Sequence, residues 1–148
     1  MNVGNKEHKR HEDIYQFLVG FFEDWTEGKT SNYIEVCRII QKDYISVIDF
    51  DSLDINDNTL ISSLEGICGK LFRYEYKLEY VLVLLAFVIK LDTRLKEKDW
   101  YSTENLLEVI SNQLYKTEFN PINKANDEFH FSSFITKLIN YLANGFYH

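Results

Sequence analysis

The chain has 148 residues, 45% hydrophobic and 16% aromatic, with a formal net charge of −7 at pH 7. That apolar content excludes a disordered chain, and the acidic balance argues against a nucleic-acid partner, whose phosphates call for a basic face. The two cysteines, Cys37 and Cys68, fall inside apolar patterns and read as buried free thiols, which suits a reducing compartment better than a disulfide framework does.

In chain order, residues 1–11 carry Lys6, His8, Lys9, Arg10 and His11 and read as a solvated, flexible arm. A helix is predicted over 12–27, where Ile14, Phe17, Leu18, Phe21, Phe22 and Trp25 recur at three- and four-residue steps and Gly28 supplies a stop. Thr30 or Ser31 caps a second helix, with Tyr33, Cys37, Ile40, Tyr44, Val47 and Ile48 on one broad face. Residues 49–58 (DFDSLDINDN) read as a loop with room for one turn, since Asp and Asn satisfy backbone groups locally. Asn58 caps a helix predicted over 59–73, with Leu60, Ile61, Leu64, Ile67, Cys68, Leu71 and Phe72 as its apolar positions. Gly66 and Gly69 interrupt that helix at about 1 kcal/mol each relative to Ala. Such glycines point to close backbone approach or to space for a ligand, with plain tolerance as the alternative.

A central helix is predicted over 75–96, containing the uninterrupted apolar run VLVLLAFVI at 81–89 inside the stretch 78–91. The run is too short for a bilayer, which needs about 20 apolar residues. A segment apolar on every side must be wrapped by protein. The basic stretch 90–98 suits the negative end of the helix dipole. Ser102 or Thr103 caps a further helix, with Glu104 in its first turn and Leu106, Leu107, Val109, Ile110 and Leu114 inward, and Pro121 marks its break. A last helix is predicted over 131–144, ended by Gly145; residues 141–148 are too few and too polar for a membrane anchor. Strand alternation is nowhere sustained. The expectation is one all-α domain of six to eight helices, amphipathic ones surrounding a hydrophobic one.

Motifs for bond chemistry fail. Gly28-Lys29-Thr30 resembles the end of a phosphate loop, but Glu23 stands where the loop needs its first glycine, on a helix instead of after a strand. His8 and His11 have helical ligand spacing without a third ligand, so a metal site is not expected. Cys68 has no histidine near it in sequence, and pairs such as Glu23 and Asp24 lie on an outward face. No cofactor is called for, and an enzyme is disfavoured. A small helical enzyme using Cys68 or His130 stays open as a separate class. Tyrosines gather around the entry to the apolar run, at Tyr44, Tyr74, Tyr76 and Tyr80; they suit either a binding groove or the core margin.

Residues 70–80, KLFRYEYKLEY, lead into the apolar run and look like a degraded first homology region of the Bcl-2 family, with Leu71-Phe72-Arg73 as its Leu-Phe-Arg segment and 77–80 at the turn before the central helix. The segments Lys77-Leu78, Phe87-Val88-Ile89-Lys90-Leu91 and Glu108-Val109-Ile110 resemble the divergent poxvirus members of that family, the myxoma-type apoptosis inhibitors in particular. The likeness covers residues 60–114.

That resemblance implies a Bcl-2-like helical bundle acting as a viral inhibitor of mitochondrial apoptosis. Members hold the amphipathic Bcl-2 homology 3 (death-motif) helix of host pro-apoptotic Bcl-2 proteins in a hydrophobic surface groove. The implied groove walls are Ile40, Tyr44, Val47, Ile67, Leu71, Tyr74, Tyr80, Val83, Leu84 and Phe87. The family's groove arginine is matched by Tyr80 and its neighbouring glycine by Glu79, so Lys77, one turn before Tyr80, is the expected partner for the ligand's aspartate. The implied location is the host cytoplasm, or the mitochondrial outer membrane if an anchor follows His148. Monomer and homodimer, with or without helix exchange, both stay open. The alternative within the same resemblance is a closed-groove inhibitor of innate immune (NF-κB-type) signalling that works through a protein interface.

Overall fold

Five α-helices lie along the computed structural model, which describes residues 3–73 and 78–121: α1 (Val3–Thr26), α2 (Asn32–Ile40), α3 (Leu60–Leu71), α4 (Leu78–Leu95) and α5 (Thr103–Tyr115). A π-helical turn (Gln41–Ile45) prolongs α2, and a 3₁₀ turn (Phe50–Leu53) lies between it and α3. No strand occurs among the described residues, so the class is all-α. The helix predicted over 131–144 lies outside them.

α4 is the axis. Residues 81–89 are all buried, and between Val81 and Asp92 only Lys90 is exposed. Each Val, Leu or Ile so buried contributes roughly 1.5–3 kcal/mol, which explains why an unbroken apolar run sits here. α2 packs on α4, with the Cys37 thiol donating to the Leu82 carbonyl (3.4 Å) and the Gln41 amide donating to the Ala86 carbonyl (3.1 Å). α3 touches both α4 and α5.

The N-terminal arm expected over 1–11 is helical from Val3. Arg10 explains the difference. Its guanidinium donates to the carbonyls of Tyr115 (3.0 Å), Phe119 (3.0 Å) and Thr117, and lies over the Tyr115 ring. The Tyr115 carbonyl is at the end of α5, where carbonyls lack intrahelical partners and carry negative partial charge, so a cation there is doubly favourable; Thr117 and Phe119 belong to the segment that follows. His11 adds a bond to the Asn112 side chain (2.7 Å). α1 is thereby fastened along α5.

The helix ends follow local chemistry. Gly28 takes φ +74°; Lys29 N–H donates to the Asp24 carbonyl and Gly28 N–H to the Trp25 carbonyl, the paired bonds of a Schellman ending. Ser31 and Ser102 cap α2 and α5, accepting from the Ile34 and Asn105 amides. Thr59, not Asn58, is the residue before α3, and its hydroxyl turns back to bond Asn56 N–H and the Asp54 carbonyl.

Between α4 and α5, buried Asp92 accepts from the Tyr101 hydroxyl and from Thr103 (2.7 Å), with Lys96 3.5 Å from its second oxygen. Burial first, then the Asp92 hydrogen bond and charge, push the Tyr101 phenol far above its usual range.

Candidate functional site: an apolar cavity beside the buried helix

Residues 49–58 form a loop with one 3₁₀ turn, as expected, and the loop is pinned to α4. Phe50 stacks on Phe87 at 5.1 Å between ring centroids, and Asp51 pairs with Arg94 at 2.6 Å. Asp49 caps the 3₁₀ turn and Asp54 closes it in the left-handed conformation (φ 52°), which Asp tolerates better than most residues. The aspartates thus shape the turn while Phe50 among them is buried against α4.

Pinning this segment beside α3 leaves a cavity of about 360 Å³. Ile48, Leu53, Ile55, Ile67 and Phe87 supply apolar lining, Ser62, Ser63 and Lys70 the polar contribution, and Gly66 stands in the wall without a side chain. Such a volume lies in the usual range for ligand pockets, roughly 300–1,000 Å³. A Cβ at Gly66 or Gly69 would meet nothing within 4 Å, so neither glycine serves a close backbone approach; Gly66 borders open space instead. Of the large exposed apolar residues, Leu53 lines the cavity, while Val47 and Ile61 are only next in sequence to lining residues.

The expected groove walls divide sharply. Ile67 and Phe87 line the cavity. Ile40, Leu71, Val83 and Leu84 are buried in the core and do not border it. Tyr44 and Tyr80 are half-buried against that core; burial, aided by the Asp43 charge, raises the Tyr44 phenol. Val47 points to solvent, 73% exposed. The π-helical turn is the reason. Its Ser46 N–H bonds the Gln41 carbonyl five residues back, which inserts a residue into the helical repeat and turns Val47 off the Ile40 face. Tyr74 and Lys77 lie outside the described residues. The sequence reading missed Ile48, Leu53, Ile55, Ser62, Ser63 and Lys70 as lining residues. The signal that was there is the three apolar residues, Phe50, Leu53 and Ile55, set among four aspartates.

Among the described residues, no group of three or more His, Cys, Asp or Glu is placed to hold a metal, and no helix is long and apolar enough to cross a membrane. Both cysteines are free and buried. Burial pushes the Cys68 thiol up to about 12, against a small opposing effect of the Lys116 charge, and raises Cys37 as well. A thiol so raised is a poor nucleophile near neutral pH.

Comparison with protein-family models, characterised proteins and solved structures finds no match for this chain.

Proposed function

We propose that this protein is a Bcl-2-like viral inhibitor of mitochondrial apoptosis, holding the death-motif helix of host pro-apoptotic Bcl-2 proteins in a surface groove. The observation that carries the reading is the apolar cavity at Ile48, Leu53, Ile55 and Ile67, floored by Phe87 of the buried central helix. It lies within the stretch that bears the family resemblance or next to it. An amphipathic helix presents large apolar residues three and four apart, and a cavity of this size, lined by Ile48, Leu53, Ile55 and Ile67, offers such a residue a pocket. The activity is sequestration; no bond is made or broken.

Titration calorimetry with a panel of death-motif peptides tests it. The expected result is binding in the micromolar range or tighter, about −8 kcal/mol or beyond, weakened at least tenfold by Ile67→Glu. Silence across the panel rejects the reading.

A second reading is favoured by a separate observation. Ile40, Leu71, Val83 and Leu84 are buried, which suits a closed-groove Bcl-2-like domain that blocks innate immune signalling through an outer face. Absence of peptide binding together with tight binding to an immune kinase or adaptor selects this second function.

A further inference from the structure

A second concavity, of about 340 Å³, is lined by Arg38, Gln41, Lys42, Ile45, Ser46 and Lys90. Three cations and no acid surround it, in a chain whose net charge is −7. Two elements bring them together. Arg38 and Lys42 are one turn apart across the junction of α2 with the π-helical turn, and Lys90 is the single exposed residue of α4 between Val81 and Asp92. Like charges at that helical spacing repel, and among the described residues no ion pair is made by any of the three. An acidic protein that gathers three uncompensated cations at one hollow is arranged for an anion.

The surrounding groups are held in place. The Arg38 guanidinium carbon lies over the Trp25 ring, 4.4 Å from its centroid, a cation–π contact that restrains the side chain beside the hollow. Gln41 spends one amide hydrogen on the Ala86 carbonyl and keeps another for a ligand. π-helical turns occur frequently at functional sites, and this one sets Gln41, Lys42 and Ile45 around the hollow. Three positive charges match a doubly charged oxyanion better than a single carboxylate. Buried Ile45 at the same hollow, and a volume larger than one phosphate needs, leave room for an organic substituent. We propose that this hollow is a binding site for a phosphate monoester group.

The group can come from a small ester in solution or from a lipid headgroup, and one experiment separates them. Backbone amide shifts of the labelled protein are followed during titration with glycerol 3-phosphate, and flotation is measured with phosphatidylcholine vesicles containing phosphatidic acid. Either arm supports the proposal if binding saturates and falls at least tenfold in Lys42→Gln/Lys90→Gln while Lys98→Gln/Lys116→Gln, with the same charge change elsewhere, stays within twofold. Binding of the soluble ester identifies a solution ligand; vesicle binding without it identifies a headgroup. Equal weakening in both double variants reveals unspecific charge attraction and overturns the site, as does saturable binding in neither arm. All four substituted lysines are exposed, and circular dichroism checks that the variants keep their helices.

Discussion

Ser111 lies on the inner face of α5, fully buried, with a hydroxyl that has no hydrogen-bond partner among the described residues. A buried unsatisfied donor costs about 1–3 kcal/mol, so Ser111→Ala is expected to stabilise the protein by about 1 kcal/mol, seen as a higher urea midpoint at unchanged slope. Tyr101 is the opposite case. Its hydroxyl serves buried Asp92, and hydrogen bonds to charged groups contribute about 1.5–3 kcal/mol. Tyr101→Phe should cost about 2 kcal/mol in the same measurement. The thiols bear on pH. Cys68 has its folded value raised from an ordinary 9.0 to about 12, and Cys37 and Tyr101 are shifted in the same direction. A group raised on folding gives its full stabilisation below its unfolded value and loses it as pH climbs toward the folded one. Stability should therefore be insensitive to these groups up to about pH 9 and fall above it. Cys68→Ala should make that alkaline fall shallower; an unchanged profile would contradict the burial argument.

At the scale of the elements, glycine chemistry gives paired predictions. Gly28→Ala puts a Cβ into the left-handed region, at about 1–2 kcal/mol, and should destabilise accordingly. Gly69→Ala sits in an α-helix with open space around it, so it should stabilise by about 0.5–1 kcal/mol. Both are read from thermal or urea unfolding. Elements with local causes were legible in the sequence. The Gly28 stop, the Ser31 and Ser102 caps and the apolar run of α4 each declare themselves within a few residues. What escaped depends on partners far along the chain. Arg10 is fastened to carbonyls more than a hundred positions away, so its helix read as an arm. The π-helical turn reset the face of Val47 without any signature in composition. The acidic segment read as a loop with one turn, but its aspartates mask Phe50, Leu53 and Ile55, and only the stack on Phe87 shows which way it turns. Of the expected groove, Ile67 and Phe87 border the cavity, and the core took Ile40, Leu71, Val83 and Leu84 because apolar periodicity alone does not separate a wall from a filling.

For the molecule as a whole, a buried axial helix jacketed by amphipathic ones leaves an apolar cavity between α3 and the pinned loop. The pin itself is testable. Arg94→Gln removes the partner of Asp51 and the cation beside the Phe50 ring; both groups are substantially exposed, so stability should move by less than about 1 kcal/mol, while peptide affinity should drop as the cavity wall loosens. The most direct test of the central claim is methyl NMR of isoleucine-labelled protein titrated with a death-motif peptide. The account predicts saturable shifts at Ile48, Ile55 and Ile67, which border the cavity, with Ile14, Ile34 and Ile110 in the core unmoved. Shifts confined to another face, or no saturable shift at those three methyls, would contradict it.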